Sequence, residues 1–218
     1  MTGLSSSPRT LKGGLVLVDP LAGSVRRIIT LQYNPDSVSR SLQIKGTGEG
    51  ADRTEALRLT GPPAETIKLE AEIDAADQLE FPDRNPTTVA LGIHPELASL
   101  EAIAYPPSTT LLLNEILSLV GTIEIVPMES ALTLFVWSAQ RIVPVRLTEL
   151  SVVEEAFDPV LNPIRAKVSL GMRVLSVDDL GFLHRGGSIF MAYLRAKERL
   201  VDRAPRSSLS NLGSGAIP

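Results

Sequence analysis

Two histidines are the first residues of this 218-residue chain that could do chemistry, and neither has a metal-binding spacing. His94 precedes Pro95 where a helical pattern opens, and His184 sits in Leu183-His184-Arg185-Gly186-Gly187. Structural zinc takes clustered thiolate and imidazole donors. The chain has no cysteine and no HxH or HExxH, so a zinc site would need distant carboxylates. A surface or loop role is the better reading of both. Gly46-Thr47-Gly48-Glu49-Gly50 lacks the lysine of a phosphate loop, and Arg53 stands where the third glycine of a dinucleotide fingerprint would be. It reads as a flexible loop. No serine sits in G-x-S-x-G. Glu154-Glu155 and Asp178-Asp179 are paired carboxylates of the kind that do acid–base work. Both fall at strand ends, where such pairs are solvated punctuation. The expectation is a protein that is not an enzyme and carries no cofactor and no metal.

One stripe of charge carries a different possibility. Arg165, Lys167 and Arg173 point the same way from one alternating strand. They are either a wet strand face or the charged lining of a ring lumen or intersubunit contact. Arg40 and Arg53, on a segment that reads as an extended arm over 36–60, join them as assembly candidates.

The bulk numbers fit a globular domain. Hydrophobic residues make up 44% and aromatics 4%, so a core must rest on Leu, Ile, Val and Ala. A formal net charge of −4 argues against nucleic acid, whose phosphates need clustered Lys and Arg. The N-terminus lacks the basic and apolar regions of a secretory signal. The apolar run near Leu111–Val120 is too short to span a bilayer, so no membrane contact is expected.

Elements able to position these residues follow from periodicity. Residues 1–13 read as a flexible leader. Leu15–Val18 is a short strand, Asp19-Pro20 with Gly23 a turn, and Arg26–Tyr33 a second strand closed by Asn34-Pro35. Ile67, Leu69, Ala71 and Ile73 alternate with Lys68, Glu70, Glu72 and Asp74, a half-buried strand. Residues 75–90 are polar and Pro-containing and read as loop. Leu97, Leu100 and Ile103 lie on one face of a helix near 95–105 that Pro106-Pro107 stops. Ala131–Trp137 and Arg141–Val153 are strands. In the second, Val143, Val145 and Leu147 fall out of phase with Leu150 and Val152, which predicts a bulge near Thr148-Glu149. Asp158-Pro159 and Asn162-Pro163 make a turn into the cleanest alternating strand, Ile164–Val174. A helix over 178–204 turns Ile189, Tyr193 and Leu200 to one face, with Arg195, Lys197, Glu198 and Arg199 on the wet side. Residues 205–218 are Ser- and Gly-rich and expected to be disordered or ordered by a partner.

Four segments together carry a family resemblance. Leu31-Gln32-Tyr33-Asn34-Pro35 with Ser39-Arg40-Ser41 is similar to an "FQYNP…SRS" strand and bend, and Gly61-Pro62-Pro63-Ala64-Glu65-Thr66-Ile67-Lys68-Leu69 to a "GPPxExIxL" strand. His94 to Pro106 is similar to an "LxxLExLxxP" helix. Leu134-Phe135-Val136-Trp137 through Phe157-Asp158-Pro159 to Leu170 is similar to a long "LFxW…FD…PvRA" block. In this order, over residues 14–175, they resemble the tube-like baseplate proteins of extracellular contractile injection systems, the family of the antifeeding prophage and the Photorhabdus virulence cassettes. The chain departs from that pattern at Ser138, Pro144 and Leu161-Asn162, and nothing in residues 176–218 resembles the sugar-binding LysM module of many members.

The resemblance implies a mainly β fold with flanking α elements: a tail-tube-like β-barrel or sandwich over 14–177, followed by the C-terminal helix. It implies a structural baseplate or tube-initiator adaptor joining a spike hub to an inner tube as a homo-oligomeric, hexameric ring. It also implies cytoplasmic assembly into a phage-tail-like particle with other baseplate proteins. The alternatives are the main inner-tube subunit and, in another class, a small-molecule-binding β-barrel.

Overall fold

Alternation of apolar and polar residues pleats most of the chain into one antiparallel sheet in a computed structural model, which describes residues 11–46, 58–119, 130–205 and 211. The strands are β1 (Gly14–Val18), β2 (Val25–Thr30), β3 (Val38–Gln43), β4 (Ala64–Asp74), β5 (Leu132–Ser138), β6 (Arg141–Phe157) and β7 (Pro163–Val174). They form a seven-stranded sheet in the order β2-β1-β5-β6-β7-β4-β3. The helices are α1 (Ala76–Leu79), α2 (Pro86–Leu91), α3 (His94–Ala104), α4 (Ser108–Leu119), α5 (Val177–Leu180) and α6 (Arg185–Val201), with a 3₁₀ turn at Pro82–Arg84 between α1 and α2. The protein is therefore mainly β with flanking helices. No pairing joins β2 to β3 among the described residues, and they form the two edges of the sheet.

The sheet has to curl. Residues 31–37 connect its two edges, and eight Cα steps reach about 29 Å only when fully extended. Seven flat strands would put those edges about 29 Å apart. The connector is not fully extended, because Leu31 turns into the core at 5% exposure. Gln32 then exchanges two hydrogen bonds with the backbone of Asp74 at the end of β4, at 2.6 and 2.9 Å. A residue just past one edge strand thus touches the strand beside the other edge.

The inner face of the curl is the core. Ile67 and Leu69 of β4, Phe135 of β5, Val143 and Val145 of β6, and Val168, Leu170 and Met172 of β7 are buried there with Ile93, Leu97 and Leu100 and with Phe190 and Tyr193 of α6. A smaller cluster, Val18, Leu132 and Leu134 with Leu180 and Ile189, fills the space under α5 and α6. Of the expected helix face, Tyr193 is buried but Leu200 is 46% exposed.

The slip in β6 falls where the phase change placed it. Its register against β7 shifts between Leu147 and Glu149, leaving Thr148 as the extra residue. Val143, Val145 and Leu147 therefore share the inner side with Leu150 and Val152. Pro144 is tolerated because of where its nitrogen points. Its carbonyl accepts from Leu175 N at 2.9 Å, on the β7 side, and the β6–β7 ladder starts only at Val145↔Val174. In an antiparallel strand N–H and C=O of one residue face the same side, so the missing N–H faces the end of β7.

Several expectations are corrected. Residues 75–90 are not a loop: α1, the 3₁₀ turn and α2 occupy most of them, with Pro82 and Pro86 each at the first helical position, where a missing N–H costs nothing. The 36–60 arm contains a strand, β3, paired with β4. Pro106-Pro107 does stop α3, as expected, but a further helix the sequence reading left out, α4, starts directly after it at Ser108. The second strand stops at Thr30 rather than Tyr33. The C-terminal helix is two, because Ser176 and Asp179 form a capping box that starts α5 and Gly181 ends it at φ 74°. Residues 11–13 of the leader are held by Asn34, whose side chain accepts from Gly13 N at 2.9 Å and donates to Leu11 O at 2.7 Å. The glycine loop at 47–57, the rest of the leader and most of the 205–218 tail lie outside the described residues.

Candidate assembly surfaces

The residues first singled out for chemistry have structural partners. His184 caps α6, its Nδ1 accepting from Gly186 N at 3.0 Å. His94 opens α3. Asp179 belongs to the capping box and also pairs with Arg173, Asp178 pairs with Lys45 at 2.8 Å, and Glu155 with Lys167 at 2.7 Å. Among the described residues no group of three or more His, Asp or Glu is placed to hold a metal. No helix among them is long and apolar enough to cross a membrane.

The structure brings Arg165, Lys167 and Arg173 together on the outer face of the curl, because alternation on β7 sends Ala166, Val168, Leu170 and Met172 inward. Each cation meets a carboxylate. Arg165 reaches Asp74 at 2.6 Å and Glu72 at 3.6 Å, Lys167 reaches Glu155 at 2.7 Å, and Arg173 reaches Asp179 at 2.7 Å. Lys68 adds a pair with Glu149 at 3.3 Å. The Ala76 N–H and the Arg165 guanidinium hold the Asp74 carboxyl below its ordinary range. Asp74 in turn raises Arg165, and Glu155 raises Lys167. The face is a ladder of opposite charges rather than a bare positive stripe.

Arg40 stands apart from that face. Its register opposite Ile67 turns it to the inner side, where its Nε donates to Glu65 at 2.8 Å. Glu65 is 4% exposed and also accepts from Tyr193 Oη and Lys197 Nζ, both at 3.2 Å. Lys197 Nζ lies 4.1 Å from the centre of the Tyr193 ring. Burial pushes the Glu65 carboxyl up, but Lys197 and Arg40 outweigh it and hold the group below its ordinary value. This buried cluster ties α6 to the β3–β4 hairpin. Sequence reasoning placed Lys197 on the wet side; the signal that could have corrected it is Glu65, an acid in the apolar phase of β4. Arg53 lies outside the described residues.

Two kinds of surface have no intramolecular cover among the described residues. The first is the pair of sheet edges. β2 and β3 are six residues each, and both carry exposed apolar side chains: Val25 at 57%, Ile28 at 65% and Leu42 at 46%. The second is an open cleft of about 1000 Å³ between β1–β2, the end of α3 and the middle of β6. Leu17, Ile103, Leu132, Leu147 and Leu150 line it with Arg26, Arg27, Arg146 and Glu149.

Fold and surfaces together define a class: a curled antiparallel sheet with helices on its flanks and, among the described residues, no pairing partner at either edge strand's outer side. Compared with known proteins, the chain matches no protein-family model and no curated sequence.

Proposed function

We propose that this chain is a structural subunit that assembles with copies of itself into a ring, as the baseplate or tube-initiator adaptor between spike hub and inner tube of a phage-tail-like contractile particle. The observation that carries the reading is the pair of edge strands, neither of which has a second partner among the described residues. An exposed edge strand is a template for another chain, and proteins that remain monomeric blunt or cover it. Here each edge also presents apolar side chains to solvent. A head-to-tail contact between β3 of one copy and β2 of the next satisfies both at once and closes when the rotation closes. The resemblance of residues 14–175 to tube-like baseplate proteins supports the same reading and suggests six copies, a barrel-type wall, and assembly in the cytoplasm.

The sheet adds a geometric consequence. All six neighbouring pairs within the subunit are antiparallel, so β2 and β3 run in the same direction. Rotation about a ring axis keeps that direction. A direct β3–β2 junction between copies is therefore parallel, with evenly spaced, slanted hydrogen bonds.

Negative-stain imaging of the purified chain, alone and with its neighbouring particle proteins, tests the proposal. Rings or caps on tubes are expected, and their loss in Ile28→Lys and Leu42→Lys variants that still fold. A stable lone monomer that binds a small apolar ligand in the open cleft would overturn it in favour of a binding domain.

A further inference from the structure

Helix α4 is inside out. Its sequence, Ser-Thr-Thr-Leu-Leu-Leu-Asn-Glu-Ile-Leu-Ser-Leu, would normally bury the leucines. Instead the half-buried positions are Thr110, Asn114 and Leu117, and Asn114 Oδ1 is buried with no hydrogen-bond partner among the described residues. Leu112, Ile116 and Leu119 share the opposite face and are 63%, 49% and 78% exposed. Spacing of i, i+4, i+7 is the anchor pattern of a helix that lies in an apolar groove. Among the described residues nothing covers this stripe, and a second chain could.

The open cleft fits that stripe. Its walls are mostly apolar, no α4 residue lines it, and Arg27 and Arg146 reach it, as does Arg26, which Asp19 engages. Glu149, the acid that also lines it, is engaged by Lys68. The one charge on α4, Glu115, flanks the apolar stripe and is opposite in sign to those arginines. The cleft opens beside β2, the edge that the ring reading assigns to a neighbouring copy. We propose that α4 of one copy docks by Leu112, Ile116 and Leu119 into the cleft of a second copy, with Glu115 facing the arginine rim. This contact does not depend on edge pairing. Rings that form without it would overturn the contact alone, and the contact found without rings would leave it standing.

The absence of cysteine makes the test clean. Chains carrying only Ile116→Cys are mixed with chains carrying only Leu147→Cys and treated with a short bis-maleimide, with Arg146→Cys as a second, exposed cleft position in case Leu147→Cys folds poorly. The expected result is a crosslinked heterodimer in the mixture, well above either chain alone. Glu115→Arg should lower its yield roughly fivefold, and adding Arg146→Glu on the other chain should restore it. Crosslinking confined to one chain in the Ile116→Cys/Leu147→Cys double variant would overturn the proposal in favour of self-docking. Ile116–Ile116 products that exceed the mixed product would overturn it in favour of helix–helix pairing. No crosslink with either cleft cysteine, in chains with wild-type circular dichroism, would overturn it outright.

Discussion

Replacing Glu65 tests how α6 is fastened to the sheet. The carboxylate is 4% exposed and satisfies Arg40, Tyr193 and Lys197 together. Removing one partner of a fully buried ion pair costs about 3–5 kcal/mol. The Arg40 and Lys197 side chains are 27% and 34% exposed, so water recovers part of the loss, and Glu65→Ala should cost about 2–3 kcal/mol. Glu65→Gln keeps the volume and one acceptor and should cost about 1–2 kcal/mol. For a chain of this size, the alanine figure corresponds to a Tm lowered by roughly 5–10 °C. Urea unfolding followed by circular dichroism measures the change, with an unaltered slope showing that the unfolding reaction is the same one. The pH dependence has a defined sign. A carboxyl held below its unfolded value near 4.5 stabilises the fold fully above that pH and stops doing so as pH falls through the folded value. The wild type should therefore lose stability from about pH 4.5 downward more steeply than Glu65→Gln. A Glu65→Ala midpoint equal to wild type, or identical acid profiles for wild type and Glu65→Gln, would refute the claim that this cluster fastens the helix.

Other substitutions probe separate features. Gly92 has φ 56° and ψ −136°, and a Cβ there would clash with the Pro163 carbonyl oxygen, so Gly92→Ala should destabilise by about 3 kcal/mol in the same urea assay. Leu161 is 77% exposed with φ 69° in the β6–β7 turn, and Leu161→Gly should stabilise by about 0.5–1 kcal/mol as the left-handed strain is relieved. Lys167→Ala removes one rung of the outer charge ladder and should leave the urea midpoint unchanged at physiological salt, because exposed pairs are screened.

Where local pattern and tertiary role agreed, the fold was legible. β4 and β7 alternate cleanly, β5 is a nearly continuous apolar run, and the bulge at Thr148 showed as a phase change between Leu147 and Leu150. β3 was not legible because its inner residues, Val38, Arg40 and Leu42, include an arginine whose reason is Glu65 on another strand. α1 and α2 were hidden because Pro82 and Pro86 punctuate a loop and begin a helix with equal ease. α4 escaped because all its leucines but Leu117 face out, so no burial rule finds its inner side. The departure from the family pattern at Leu161-Asn162 falls in a turn where Leu161 has positive φ, a conformation that suits glycine better than leucine. Arg165, Lys167 and Arg173 lie on one face of β7. Its neutralising acids come from β4, β6 and α5, which no reading of β7 alone contains.

Amide hydrogen exchange on Val25–Thr30 and Val38–Gln43 bears most directly on the account, measured in the assembled particle and again after dissociation. If neighbouring copies complete the sheet, the outward-facing amides of both strands exchange far more slowly in the assembly, and Ile28→Lys removes the difference. Equal exchange in the two states, with intact particles confirmed by imaging, would contradict it.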